Sequence, residues 1–200
     1  MIPIKQGPVG VLVSGGADSA ILLYLLMKEH TDKIYIFSLA SSFKNNLNAK
    51  CCIDVVSKCA ELTSNRNFEH IMDYCHVQDS SILFELPNKY LTEEKINWIY
   101  TGITKNPPAT VTDTFIDPTT ETHERDPSIV RDVIDNTRKV ITPFTNIDKV
   151  QLSDLYKEYA VLDSLFSLTR SCETLDSIGF DHCGVCWWCE ERNWGFSRLT

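Results

Sequence analysis

Val9-Gly10-Val11-Leu12-Val13-Ser14-Gly15-Gly16-Ala17-Asp18-Ser19, running on into Ala20-Ile21-Leu22-Leu23-Tyr24-Leu25-Leu26-Met27, is the stretch that decides the fold. Val9, Val11, Leu12 and Val13 form a short, largely β-branched run, the pattern of a buried strand, which stops abruptly at Ser14-Gly15-Gly16. Beyond the glycines, Ile21, Leu22, Leu25 and Leu26 recur at helical spacing until Thr31-Asp32 closes the segment. A strand, a glycine turn and a helix in that order form the first half of a βαβ unit.

The chemistry of the turn follows from its residue types. Glycines let the backbone approach phosphate oxygens and present N–H groups in a concave nest. The helix starting near Asp18 aims the positive end of its dipole at the same place. Ser14 and Ser19 add hydroxyls, and Asp18 is suited either to holding magnesium or to capping the helix. The turn is neither a Walker A loop, since no Gly-Lys-Ser/Thr follows, nor a Gly-x-Gly-x-x-Gly dinucleotide fingerprint. A plain βα turn with an aspartate cap is the alternative.

Working outward, Ile34 to Leu39 reads as a second strand, Asn45 to Leu62 as a helix and Phe68 to Tyr74 as a third strand. Ser80 to Lys95 is helical but interrupted by Pro87, and Trp98 to Ile103 is a fourth strand stopped by Lys105-Asn106-Pro107-Pro108. Thr110 to Arg131, rich in Thr, Asp and Pro, reads as a long loop. Arg138 to Thr142 is a short strand and Ile147 to Tyr159 an amphipathic helix. Alternating strands and helices predict an α/β fold with a parallel sheet covered by helices on both faces. Two regions are expected, a nucleotide-binding domain over 1–145 and a helical, metal-binding region over 146–200.

The chain has 200 residues and a formal net charge of −8, which argues against nucleic acid as a partner gripped by its backbone. No apolar run reaches the length of a membrane span, and none is bracketed as a secretory signal, so a cytoplasmic, reducing location is expected. Of the eight cysteines, Cys172, Cys183, Cys186 and Cys189 crowd the last thirty residues. Four thiolates suit a closed tetrahedral zinc site, with Gly184 permitting the turn of Cys183-Gly184-Val185-Cys186. An iron–sulfur cluster and a pair of disulfides are the competing readings. His182, beside a ligand, is assigned a supporting role, and of Trp187 and Trp188 between ligands one is expected to pack on the core and the other to stack on the substrate or a partner. Cys51, Cys52, Cys59 and Cys75 read as buried apolar fillers, with a thiol-transfer nucleophile as the alternative.

Val11 through Ser19 resembles the pyrophosphate loop of the N-type ATP pyrophosphatases. The resemblance implies an adenine nucleotide alpha-hydrolase-like, Rossmann-like fold and an ATP site comprising Val13, Ser14, Gly15, Gly16, Ala17, Asp18 and Ser19, with Mg2+. Ser38 in the second strand and Lys105 past the fourth complete the candidate nucleotide-binding set, and Asp18, Ser19 and Arg192 are the candidate catalytic residues. Ser171-Cys172, His182-Cys183-Gly184, Cys186, Cys189, Glu191-Arg192 and Phe196 further resemble the C-terminal signature of the 7-cyano-7-deazaguanine synthase family, as does Thr142-Pro143-Phe144 followed by Lys149. That resemblance implies ATP-dependent adenylation of 7-carboxy-7-deazaguanine or a related carboxylate, conversion with ammonia to a nitrile, a structural Zn2+ and a homodimer. The chain departs from the family in two ways: it lacks a Tyr-Pro-Asp-Cys-Arg stretch after the fourth strand, and its spacing from Cys172 to Cys183 is longer than usual. Another pyrophosphate-loop ligase or amidase, a tRNA sulfur transferase and a catalytically silent nucleotide-binding module are the rival readings.

Overall fold

The first strand, β1 (Val9–Leu12), lies at the centre of a six-stranded sheet. In the computed structural model, which describes residues 2–41, 47–75, 80–116, 133–172, 174 and 182–197, β1 is followed by α1 (Ala17–Glu29), β2 (Ile34–Ser41), α2 (Leu47–Thr63) and β3 (Phe68–Cys75). A 3-10 turn at Ser80–Phe84 leads into α3 (Glu85–Thr92) and β4 (Trp98–Tyr100). Then come α4 (Ala109–Thr112), β5 (Ile134–Asp135), β6 (Val140–Ile141), α5 (Lys149–Glu158), α6 (Leu162–Leu165) and α7 (Trp187–Phe196). The spatial order is β3-β2-β1-β4-β6-β5, with every pairing parallel except β5 on β6. Val9 is in register with Ile34 on one side and Trp98 on the other.

Strand order reverses between β1 and β4, so the crevice outside their carboxyl ends is the topological switch point where such sheets bind ligands. The Ser14–Ser19 loop leaves β1 at that crevice. Helix α1 is apolar on nearly every face because it is enclosed. Ala20 to Met27 are all buried, with α2 and α5 packed in the same core cluster. α3 covers the opposite sheet face through a smaller cluster around Phe37, Ile96 and Ile99. The larger cluster draws Leu152, Tyr156, Val161, Leu165 and Phe196 together with β1 and α1, so it spans both sides of residue 145.

Several boundaries differ from the sequence reading for local reasons. Pro87 is the third residue of α3 and does not interrupt it, because first-turn N–H groups have no intrahelical partner to lose. β4 ends at Tyr100, and the Arg138–Thr142 strand shortens to β6, whose antiparallel partner β5 carries no apolar run that would announce it. Ala109–Thr112 forms one helical turn inside the expected loop, whose residues 117–131 lie outside the described set. α5 begins at a capping box: Asp148 accepts from the Val150 and Gln151 amides, and Gln151 answers onto the Asp148 amide. Among the described residues no helix is long and apolar enough to cross a membrane.

Candidate active site and four-cysteine centre

The loop after β1 is tied into a fixed shape by its own serines. The Ser14 amide donates to Ser19 Oγ (3.2 Å), the Gly16 amide to Ser14 Oγ (3.4 Å), and Ser19 Oγ donates to the Gly16 carbonyl (3.1 Å). Gly15 sits at φ +79, and a Cβ there would come within 2.9 Å of the Asn48 carbonyl. The Arg170 amide donates to the Gly15 carbonyl (2.9 Å), which locks the loop from outside. Gly16 is the N-cap of α1 and receives no side-chain cap, so the first-turn amides of the helix face the crevice.

Asp18 is therefore not a cap. Its Oδ2 pairs with Lys149 Nζ and accepts from Thr104 Oγ1 at 3.4 Å, while Oδ1 is buried with no hydrogen-bond partner among the described residues. Lys149 also stands 3.6 Å from Glu191 Oε2, with Glu191 almost wholly buried. A carboxylate oxygen without a partner beside a phosphate-type loop fits the donor magnesium takes from a protein, which is one or two carboxylates with waters and phosphates supplying the rest.

The other expected residues fall into place unevenly. Val13 donates to the Phe37 carbonyl (2.8 Å), which sets Ser38 beside the loop. Ser38 Oγ is 3.0 Å from His70 Nε2, a histidine whose pKa is lowered by burial and whose role the sequence did not announce. Lys105 is exposed; its amide donates to the Ile147 carbonyl, and Thr104 is the residue that reaches Asp18. Arg192 is buried and fully engaged. It donates to Thr169 Oγ1 (2.8 Å), Ser171 Oγ (3.3 Å) and the Phe166 carbonyl (3.2 Å), and lies 3.8 Å over the Phe166 ring. Burial pulls its pKa down to about 10, so it stays charged at neutral pH. These contacts brace the segment that carries Arg170, whose amide in turn holds the Gly15 carbonyl. Arg170 and Thr104 are the residues touching the loop and Asp18 that pattern reading missed, and Glu191 was singled out only as part of the C-terminal signature, because each lies on a different segment of chain from the loop.

Cys172, Cys183, Cys186 and Cys189 converge, all four sulfurs lying within 4.8 Å of one another. The Cys183 amide donates to the Cys172 sulfur (3.5 Å) and the Cys186 amide to the Cys183 sulfur (3.4 Å), while Gly184 takes φ +80 at the turn. Cys183 and Cys189 sulfurs are 3.8 Å apart, beyond the ~2.05 Å of a disulfide bond. A single tetrahedral ion with bonds of ~2.3 Å separates its sulfurs by ~3.8 Å, so the set fits one ion. His182 accepts from the Ser171 amide (3.2 Å), the supporting role expected of it. Trp187 is buried, edge-on to Phe115 at 4.9 Å.

A glycine-serine loop at the switch point of a Rossmann-like sheet, with a four-sulfur centre behind it, defines a pyrophosphate-loop enzyme that uses a nucleotide. The family model described as "Queuosine biosynthesis protein QueC" matches residues 78–200, well over half the chain, and the chain belongs to that family. The match begins after the phosphate loop and takes in β4, α5 and the cysteine centre. Among solved structures, the chain is similar to U34-tRNA thiolase NcsA from Methanococcus maripaludis with its 4Fe-4S cluster, at TM-score 0.51 and 13% identity, covering 96% of this chain and 67% of that one. It is also similar to NMN synthetase from Francisella tularensis, at TM-score 0.50 and 14% identity, covering 99% and 86%. At such identities the likeness is one of fold. No curated protein matches the sequence.

Proposed function

We propose that this chain uses ATP to adenylate the carboxylate of a 7-deazaguanine and converts it with ammonia to the nitrile. The observation that carries the reading is the phosphate loop at the switch point, with the Asp18–Lys149 pair beneath it, in a chain of the queuosine family.

In the first round the substrate carboxylate attacks the α-phosphorus of ATP, the bond to the bridging oxygen breaks, and pyrophosphate leaves with the electron pair. Ammonia then adds to the acyl carbon, loses a proton and expels AMP, giving the amide. In the second round the amide oxygen takes up AMP with loss of a second pyrophosphate. Departure of that AMP, with loss of the nitrogen's protons, leaves the nitrile.

The chain's own work is to bind, orient and neutralise. The backbone N–H groups at Gly15 to Ser19 cradle the terminal phosphates, Ser14 and Ser19 hold the loop's shape, and Lys149 supplies positive charge where pyrophosphate develops. Asp18 would hold magnesium through Oδ1, and magnesium when bound would neutralise phosphate charge. Zinc is the ion assigned to the four cysteines, where it would hold the start of α7 and take no part in the chemistry. The dimer implied by the family resemblance belongs to the same reading.

The test is incubation with ATP, magnesium, ammonium and 7-carboxy-7-deazaguanine, followed by mass spectrometry. Nitrile with pyrophosphate release supports the assignment. Pyrophosphate release only with a different acid makes the chain another ligase of the same loop class. ATP binding without turnover of any acid makes it a silent nucleotide-binding module.

A further inference from the structure

Three ionisable side chains from three elements meet beneath the phosphate loop. Asp18 comes from the first turn of α1, Lys149 from the first turn of α5 and Glu191 from α7. Lys149 Nζ pairs with Asp18 Oδ2 and lies 3.6 Å from Glu191 Oε2, the side chains of Lys149, Asp18 and Glu191 being 8%, 18% and 1% exposed. Two carboxylates thus share one buried ammonium, and one of the four carboxylate oxygens, Asp18 Oδ1, has no hydrogen-bond partner among the described residues.

Glu191 owes its position to the cysteines. Cys186 is the N-cap of α7, Cys189 lies in its first turn, and Glu191 follows two residues later. Gly195, further along α7, rests directly on the Lys149 backbone. An ion gathered by the four sulfurs therefore fixes the first turn of α7, and with it the second carboxylate of Lys149.

We propose that the four-cysteine centre governs magnesium-dependent nucleotide binding at the phosphate loop, through Glu191 and Lys149, with Lys149 the positioning residue shared between the two sites. The proposal rests on the adenylation reading and deepens it. With Glu191 in place, the ammonium keeps a counter-charge when Asp18 turns toward a cation. Without the Glu191 charge, or with α7 loosened by loss of its ion, Lys149 falls back on Asp18 alone, and that carboxylate is committed to the ion pair. The loop amides are untouched by this exchange, so the part of ATP affinity that depends on magnesium is the part that is lost.

Isothermal titration calorimetry of ATP, with and without added magnesium, tests this on three proteins: metal-loaded wild type, metal-loaded Glu191→Gln, and wild type with its ion removed. Magnesium is expected to tighten ATP binding in loaded wild type by on the order of tenfold and in the other two by less than about twofold. Affinity for ATP without magnesium should fall in neither altered protein, since the loop amides are intact and removing the Glu191 charge takes nothing attractive away from the phosphates. Metal content and far-UV circular dichroism establish that Glu191→Gln is loaded and folded, so that variant decides the matter even where the stripped protein unfolds. Full magnesium enhancement retained in Glu191→Gln overturns the coupling and leaves the adenylation reading standing. Equal loss of affinity with and without magnesium overturns it too, as general damage. A wild type that binds no ATP under either condition removes the adenylation reading, and the coupling with it.

Discussion

Gly195 on α7 lies so close to Lys149 on α5 that a Cβ added to it would stand 2.2 Å from the Lys149 Cβ and 3.0 Å from its carbonyl oxygen. The two helices meet at this point with no space for a methyl group, and the contact sets where the Lys149 ammonium hangs over Asp18. Gly195→Ala is therefore expected to force α7 away from α5 and destabilise the fold by about 1–3 kcal/mol. Urea denaturation measures the loss; a midpoint equal to wild type would mean the helices are not held this closely.

Asp18→Asn keeps the side chain's shape while removing the charge that answers Lys149 and the oxygen suited to a cation. Lys149 retains Glu191 as its carboxylate, so the fold should survive. Pyrophosphate release is expected to fall on the order of a hundredfold or more, the usual cost of removing one preorganised electrostatic group from an active site. Metal content should be unchanged, because no cysteine ligand is touched. Undiminished pyrophosphate release would remove Asp18 from the chemistry.

Much of this arrangement was legible in the sequence where its cause was local. The β-branched run, the glycine turn and the enclosed helix α1 lie within one short stretch, and so do the last three cysteines, so periodicity and spacing reveal them. The contacts of Arg192 were not legible, because an arginine three residues past a metal ligand looks the same in sequence whether it faces phosphate or braces Thr169, Ser171 and Phe166. Glu191, Thr104 and Arg170 gain their roles only when the switch point brings the ends of β1 and β4 together and α7 folds back over α5. β5, with two residues and no apolar alternation, offers no pattern to read, since its pairing with β6 comes from the turn between them.

The sulfur geometry of the C-terminal centre makes a definite prediction about the ion. Purified protein is expected to carry about one zinc per chain and to be colourless, with cobalt replacement giving the visible bands of a tetrahedral thiolate site. Cys183→Ser should lose the tightly bound ion, since its sulfur accepts the Cys186 amide and lies within reach of Cys189. Brown protein with iron and labile sulfide would assign the centre to a cluster instead.

Mild acid should weaken the fold through two buried histidines. Burial lowers the pKa of both His30 and His70 below the ordinary 6.5, and Nε2 of His30 is enclosed with no hydrogen-bond partner among the described residues. A histidine whose folded pKa lies below its unfolded one binds fewer protons folded than unfolded, so falling pH favours the unfolded chain. Stability due to these two residues is thus fully present above pH 6.5 and is lost as pH falls from 6.5 through the lowered folded values. Urea midpoints measured from pH about 7.5 down to about 5.5, the range in which histidine alone among ordinary side chains titrates, should decline for the wild type. The same series for the double variant His30→Gln, His70→Gln should be nearly flat. A decline of equal size in that variant would place the acid sensitivity on other groups.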